Sequence, residues 1–351
     1  MNRQSTDLTH LTRRALCFFG LTGIFALGGE AQPLTENSSD PAIEIGEPMR
    51  VDRGEGKLEL LIPRDETLEF DVLLDIAVMG ETKVGDFRLS AGVKNIGGGL
   101  PMPGRPVEGK KESGWIQSKA WGHYFGYSLD HEIKMSTMPQ AWPSTIYTDH
   151  QTGSENRQRE LKYGVLDGKP TSWYRANGHC KGCDREEHFV EGGWFSDDAH
   201  CKKCKRGEHR VWREPRSRAI PEGSLDMLKA IYLSREMIRL GKSSIEFSLI
   251  DKDRVWEVKM ERGLSRTRKV PGGSFRCREV KLIPKPADKD SNSSRFEGLF
   301  GIHGTISIWL EEKTGVPVEI GGLVPLGPLD IDVRLGLTRW KGTPKEFRKK
   351  R

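Results

Sequence analysis

From Lys57 onward, apolar and polar residues alternate in short runs separated by turn residues. Thr67-Leu68-Glu69-Phe70-Asp71-Val72-Leu73-Leu74 sets the pattern, and Lys83-Val84-Gly85-Asp86-Phe87-Arg88-Leu89 repeats it after a turn at Gly80. A period of two puts successive side chains on opposite faces, so each run predicts a strand with one dry face. Trp115 to Met135 and Arg159 to Val165 are further β-like stretches. Ile245-Glu246-Phe247-Ser248-Leu249 and Val255-Trp256-Glu257-Val258-Lys259 flank Asp251-Lys252-Asp253, a hairpin arrangement. The series continues through Ser274–Leu282, Thr305–Leu310, Val316–Ile320 and Leu329–Leu337, with Thr314-Gly315 marking another turn.

One segment departs from this period. From Ser224 to Leu240 the positions Leu225, Leu228, Ile231, Tyr232 and Arg235 step along one helical face. Ser224 can cap the helix, Asp226 complements its N-terminal dipole and Gly241 stops it. Many short strands and one helix predict a mainly β fold, a curved antiparallel sheet or partial β-barrel with one main helix. Phe70, Phe247, Trp256 and Trp309 fall at inward positions. They would line an apolar cavity or, as the simpler expectation, fill the core.

The 351 residues suffice for one large domain, and 35% hydrophobic against 30% charged residues leaves room for only a modest core. The balance of 56 basic to 50 acidic residues gives +6, too diffuse an excess to predict nucleic-acid binding. The first 31 residues read as a signal peptide: Arg13-Arg14, an apolar run from Ala15 to Gly29, and the small residues Gly29 and Ala31 around Glu30. That run falls short of the roughly 20 residues a membrane-crossing helix needs, and the arginine pair leaves twin-arginine and general export both open. The expected destination is therefore the periplasm or cell envelope. A membrane surface stays open as a partner, a membrane span does not. Residues 32–56 read as a flexible lead-in and 57–172 as the first part of the β domain. The second part is 219–340, and Lys341–Arg351 is a basic, solvated tail.

Residues 173–218 form a segment of different composition, with four of the six cysteines and four of the nine histidines. Cys180-Lys181-Gly182-Cys183 and Cys201-Lys202-Lys203-Cys204 are two CxxC pairs separated by seventeen residues, the spacing of a zinc ribbon. Two turns that each present two thiolates can complete a tetrahedron around one ion. The surroundings repeat as well: His179-Cys180 through His188 matches His200-Cys201 through His209 at a period of twenty-one residues. The expected ligands of a structural zinc are Cys180, Cys183, Cys201 and Cys204. His188 and His209 stand as alternative ligands or as donors behind the thiolates. Disulfides, in an oxidising compartment, remain the competing chemistry. Lys202, Lys203, Lys205 and Arg206 form a basic stretch that could bind an anion or simply offset thiolate charge. Cys277 reads as a lone buried thiol.

No nucleophile elbow, HExxH, Walker A or dinucleotide fingerprint occurs. Gly99–Gly104 has P-loop glycine spacing, but Arg105-Pro106 replaces the lysine and hydroxyl, so it reads as a loop. His131-Glu132 and Asp149-His150 are acid–histidine neighbours in sequence, a pairing that says nothing about a shared site. Three functions stay in play. One is a non-catalytic envelope binding or scaffold protein with an apolar or lipid-like ligand. Another is a metal-dependent hydrolase with Glu187 or Glu208 beside an open zinc position. The last is a basic docking module for a polyanionic partner.

Leu68–Val72 with Val84–Leu89, Ser224–Arg235, Gly273–Cys277, and Ile306–Leu310 with Val316–Ile320 together resemble, in that order, the domain-of-unknown-function family 3108 of exported bacterial proteins. The likeness covers roughly residues 57–340 apart from the cysteine segment, which resembles an insertion of the planctomycete branch. Glu311-Glu312 depart from the aspartate that often follows the tryptophan strand there. The resemblance implies a curved β architecture similar to periplasmic lipoprotein carriers, and no established activity. The expectation for this chain is an envelope binding or scaffold protein with a structural zinc.

Overall fold

The computed structural model describes residues 48–51, 59–76, 80–96, 111–124, 126–138, 144–154, 156–179, 189–190, 200–201, 210–287, 296, 298–326 and 329–347. The expected signal peptide and most of the lead-in lie outside them. The strands are β1 (Met49–Val51), β2 (Leu60–Ile62), β3 (Asp65–Ile76), β4 (Gly80–Ile96), β5 (Lys111–Tyr124), β6 (Tyr127–Thr137), β7 (Ile146–Gly153), β8 (Arg157–Leu166), β9 (Lys169–His179), β10 (Phe189–Val190), β11 (His200–Cys201), β12 (Arg210–Trp212), β13 (Arg216–Ala219), β14 (Ser244–Asp251), β15 (Arg254–Val270), β16 (Gly273–Pro286), β17 (His303–Glu311), β18 (Pro317–Leu326) and β19 (Leu329–Lys341). One helix, α1 (Met227–Arg239), separates β13 from β14.

Fifteen strands form one antiparallel sheet in the order β12-β9-β8-β7-β6-β5-β4-β3-β19-β18-β17-β16-β15-β14, with β13 also on β9. Almost every neighbour in space is a neighbour in sequence, as expected of a meander. The exceptions are β12 and β13 against β9, and β3 against β19, where the two halves of the described sheet meet through pairs such as Leu74 with Val333. The main sheet runs on to His179 and resumes at Arg210, its Cα partner, so residues 180–209 leave and re-enter it at one point.

Among the described residues no ladder closes this sheet into a barrel; its two edges meet across a seam made by the chain between β13 and α1. β13 pairs with β9, and Leu225 then bridges in parallel to Leu249 of β14. The Leu225 N–H donates to Ser248 O at 2.9 Å, and the Ile250 N–H donates to Leu225 O at 2.8 Å. Arg216 reaches Asp253 at 2.6 Å, and Arg218 donates to the Asp253 carbonyl at 3.0 Å. Beneath the seam a small apolar cluster joins Leu161, Tyr163 and Tyr174 to Ile220, Ile250 and Val255. The curved fold expected from the alternation is what the chain adopts.

The helix packs against the inner face of this curl. Asp226, not Ser224, is its N-cap: the Asp226 carboxylate accepts from the Lys229 N–H at 3.0 Å, while Ser224 Oγ donates to the Pro221 carbonyl. Ten of its thirteen residues are buried, among them Lys229, whose Nζ donates to Thr137 Oγ1 at 2.8 Å. Burial extends beyond the apolar stripe to the polar side chains of Lys229, Ser234 and Glu236, so the stripe marks only part of the buried surface. Phe70, Phe247, Trp256 and Trp309 are all core residues, in contact with the cluster that the helix completes.

The tail differs from the expected solvated segment. Lys345–Phe347 form a 3-10 turn, and Phe347 is buried, its ring stacked on Phe275 at 5.1 Å and edge-on to Trp340 at 4.9 Å. A single aromatic outweighs the basic residues around it, because burying a phenyl ring is worth about 2–3 kcal/mol.

Candidate functional site

The turns β3–β4, β5–β6, β7–β8, β14–β15 and β18–β19 lie at one end of the sheet, and the helix packs toward the other. Register shows this: Asp75, next to the first of these turns, pairs with Glu81 on one side and with Asp332, close to the β18–β19 turn, on the other. Toward the turn-bearing end the helix no longer fills the interior, and a cavity of about 830 Å³ remains. This lies inside the range of about 300–1,000 Å³ common for small-molecule pockets.

Apart from β4, where the ladder to β3 shifts register at Val72/Leu73, its walls follow the period of two. Val72 and Leu74 of β3, Val84 and Phe87 of β4, and Ile331, Val333 and Leu335 of β19 make an apolar wall. Facing it, β6 presents Leu129, His131 and Ile133, β7 presents Tyr147, Asp149 and Gln151, and β8 presents Arg157, Arg159 and Leu161. The last three strands thus carry polar residues on a face that is otherwise apolar. Gly85 and Gly122 are cross-strand partners on β4 and β5. A Cβ on either would run into the other strand's backbone, so glycine permits the close approach there.

Register explains which polar groups meet. His131 lies opposite Gln151, which lies opposite Arg157; Ile133 lies opposite Asp149, which lies opposite Arg159. His131 therefore meets Asp149 on the diagonal, and its Nε2 donates to Asp149 Oδ1 at 2.7 Å. Both side chains are more than nine-tenths buried, at 3% and 9% exposure. Asp149 Oδ2 faces two guanidinium groups, those of Arg157 and Arg159, each at 3.5 Å. Burial pushes the Asp149 carboxyl up, but the His131 hydrogen bond and the arginine charges outweigh it, and its pKa falls below the ordinary value. Gln151 Nε2 donates to Tyr127 Oη at 3.3 Å, extending the polar wall toward the β5–β6 turn.

A loop ending at His303 covers part of the cavity. It carries Phe300, whose ring stands edge-on to His131 at 4.8 Å and to Phe87 at 5.2 Å. Phe300 has φ of 54°, a left-handed conformation that costs a bulky residue energy and is held here by the contacts of its ring. His303 Nε2 donates to Asp330 Oδ1 at 3.0 Å beside the same loop.

None of the sequence-derived candidates falls in this cavity. Cys180, Cys183 and Cys204 lie outside the described residues, as do His188, His209, Glu187, Glu208, Lys202, Lys203, Lys205 and Arg206. For Cys201 the backbone alone is described: β11 pairs with β10, Cys201 opposite Phe189. Among the described residues no group of three or more His, Cys, Asp or Glu side chains converges as a metal site. Cys277 is a free, buried thiol, its Sγ donating to the Phe275 carbonyl at 3.5 Å, and burial raises its pKa to about 12. No described helix is long and apolar enough to cross a membrane.

The cavity residues that sequence reasoning missed are His131, Asp149, Arg157 and Arg159. His131 and Asp149 stood out in the sequence only as neighbours of Glu132 and His150. Those two residues point away, Glu132 to Gln117 and Lys134, His150 to Gln158.

Against family models and against curated proteins the sequence finds no match. Among solved structures it is similar to a β-barrel-like protein of a domain of unknown function, DUF1849, from Brucella abortus: 10% identity, a TM-score of 0.41, and coverage of 79% of this chain and 97% of that one.

Proposed function

We propose that this protein is a non-catalytic binding protein that holds an apolar-bodied small molecule inside its curled sheet. The observation that carries the reading is the cavity itself: about 830 Å³ at the turn-bearing end, with an apolar wall from β3, β4 and β19. An apolar enclosure of this size favours a ligand that leaves water, at about 25 cal/mol per Å² buried. Its lining carries acids, bases and amides but no Ser, Thr or Cys among the described residues. The hydroxyls on that lining are those of Tyr127 and Tyr147, and Tyr127 Oη already accepts from Gln151 Nε2 at 3.3 Å.

Titration with N-phenyl-1-naphthylamine, a neutral apolar fluorophore, tests this. The expected result is saturable fluorescence enhancement at one site per chain. Ala120, buried on the cavity wall, should accept Phe, and Ala120→Phe should weaken binding at least tenfold with little change in melting temperature. Non-saturable binding, or an Ala120→Phe affinity equal to wild type, would refute it.

A second reading concerns residues 180–209. Because His179 and Arg210 are paired, both ends of this segment are pinned at one point of the sheet edge. The repeated cysteine pairs and the β10–β11 pairing within the segment support a structural zinc held by Cys180, Cys183, Cys201 and Cys204. Metal analysis should then find one zinc per chain in wild type and none in Cys180→Ser/Cys201→Ser. Metal-free wild type with pairwise disulfides would overturn it.

A further inference from the structure

The cavity is asymmetric in charge as well as polarity. On the β3–β4–β19 side Asp86 is paired with Lys83 at 2.9 Å. At the β14–β15 turn Asp251 and Lys252 offset one another in sign. On β8, however, two guanidinium groups face a single carboxylate. Arg157 and Arg159 share one Asp149 oxygen at 3.5 Å each, at the outer limit of a hydrogen bond, because His131 already holds the other oxygen at 2.7 Å. Each guanidinium carries five N–H donors, so most of the donor capacity on this wall is not used by Asp149. Arg157 Nε is buried with no hydrogen-bond partner among the described residues. A buried donor without an acceptor costs about 1–3 kcal/mol, a cost that an incoming anion would remove.

We infer that the cavity takes an amphiphile with a single anionic headgroup, a carboxylate or a phosphate, seated on Arg157 and Arg159 with its apolar tail along β3 and β19. The inference rests on the cavity being a binding site and specifies what that site selects. Alternation places both guanidinium groups on one face of β8, two residues apart, and a planar guanidinium fork matches a carboxylate or phosphate edge. Asp149 and His131 act as positioning residues, with Asp149 holding the two forks on the cavity side. On the wall opposite, the charge among the described lining residues is that of Asp86, which is already paired with Lys83.

Calorimetric titration of the full chain with four ligands of one tail length, all below their micelle concentrations, separates the contributions. The ligands are dodecanoate, dodecyl phosphate, dodecanol and dodecyltrimethylammonium. Both anions should bind at least about tenfold more tightly than dodecanol, the size of one charge-assisted hydrogen bond, and the cation should bind most weakly. Whichever anion is tighter identifies the headgroup. Arg157→Gln/Arg159→Gln should reduce both anions to the affinity the same variant shows for dodecanol. Arg157→Lys/Arg159→Lys should keep a reduced anion preference, which guards against a folding artefact. Equal affinities for dodecanoate and dodecanol, tighter binding of the cation, or an anion preference that survives the double Gln variant would overturn the inference. Failure of all four ligands would instead overturn the cavity reading beneath it.

Discussion

Arg235 of α1 and Glu66 of β3 form a buried ion pair, and removing the acid alone should be far worse than removing both. The guanidinium reaches the carboxylate with two bonds, 2.6 Å to Oε1 and 3.2 Å to Oε2. Glu66 is fully buried at its side chain and Arg235 is 11% exposed. The Tyr232 hydroxyl donates to the same carboxylate at 3.5 Å, and the Arg235 guanidinium lies 5.4 Å from the Tyr232 ring centroid. Glu66→Ala strands a guanidinium that cannot lose its proton, because Arg titrates above pH 12. Breaking a buried pair in this way costs about 3–5 kcal/mol. Against a total stability of about 5–15 kcal/mol this is a fifth or more of the whole.

Urea unfolding followed by tryptophan fluorescence measures the loss. With a slope of about 3 kcal/mol/M, the midpoint should fall by about 1 M or more in Glu66→Ala with the slope unchanged. Replacing both partners by apolar residues of similar volume, Glu66→Leu/Arg235→Met, removes the stranded charge, and buried pairs so replaced are often neutral in stability. The double variant should therefore recover at least half of what Glu66→Ala loses. A Glu66→Ala loss below about 1 kcal/mol, or a double variant less stable than Glu66→Ala, would refute the reasoning.

Two further outcomes follow from burial. Cys277, with its thiol pKa raised to about 12 and no exposed surface, should resist iodoacetamide in the native state and react once urea unfolds the chain, as read by peptide mass spectrometry. Rapid native labelling would show that the β15–β16–β17 region opens far more readily than its packing implies. Asp149 has a folded pKa below its ordinary value near 3.8, so its contribution is complete above that value and is lost as pH falls through the lower folded one. Asp149→Asn should be less stable than wild type at pH 7, and the difference should shrink below about pH 4. Stability curves that stay parallel down to pH 2 would contradict the assignment.

What could be read from the sequence, and what could not, divides along a physical line. Alternation identified β3, β4, β14, β15 and the closing strands because each has one dry face, and a dry face is a local property. The N-cap was misjudged by two residues, since Ser224 and Asp226 are both good caps and only the seam at Leu225 decides between them. The strands that build the polar wall are harder to read. On β8, Arg157, Arg159, Leu161 and Tyr163 share a face, while Gln158, Glu160 and Lys162 share the other. Leu161 and Tyr163 are almost fully buried, so the first face points inward and takes both arginines with it. That parity was present in the sequence: apolar residues at the C-terminal end of the run fix which of the N-terminal charges are inside. The same test on β6 puts His131 with Ile133 and Met135, away from Glu132 and Lys134. A charged residue in the apolar parity class of a strand is costly unless paired or bound, so such residues are better markers of a functional interior than acids and histidines adjacent in sequence. Parity alone could not say that His131 meets Asp149, because a one-residue slip between β6 and β7 would place Asp149 on the outer face. That meeting is a property of register, and register is fixed by the whole sheet rather than by either strand.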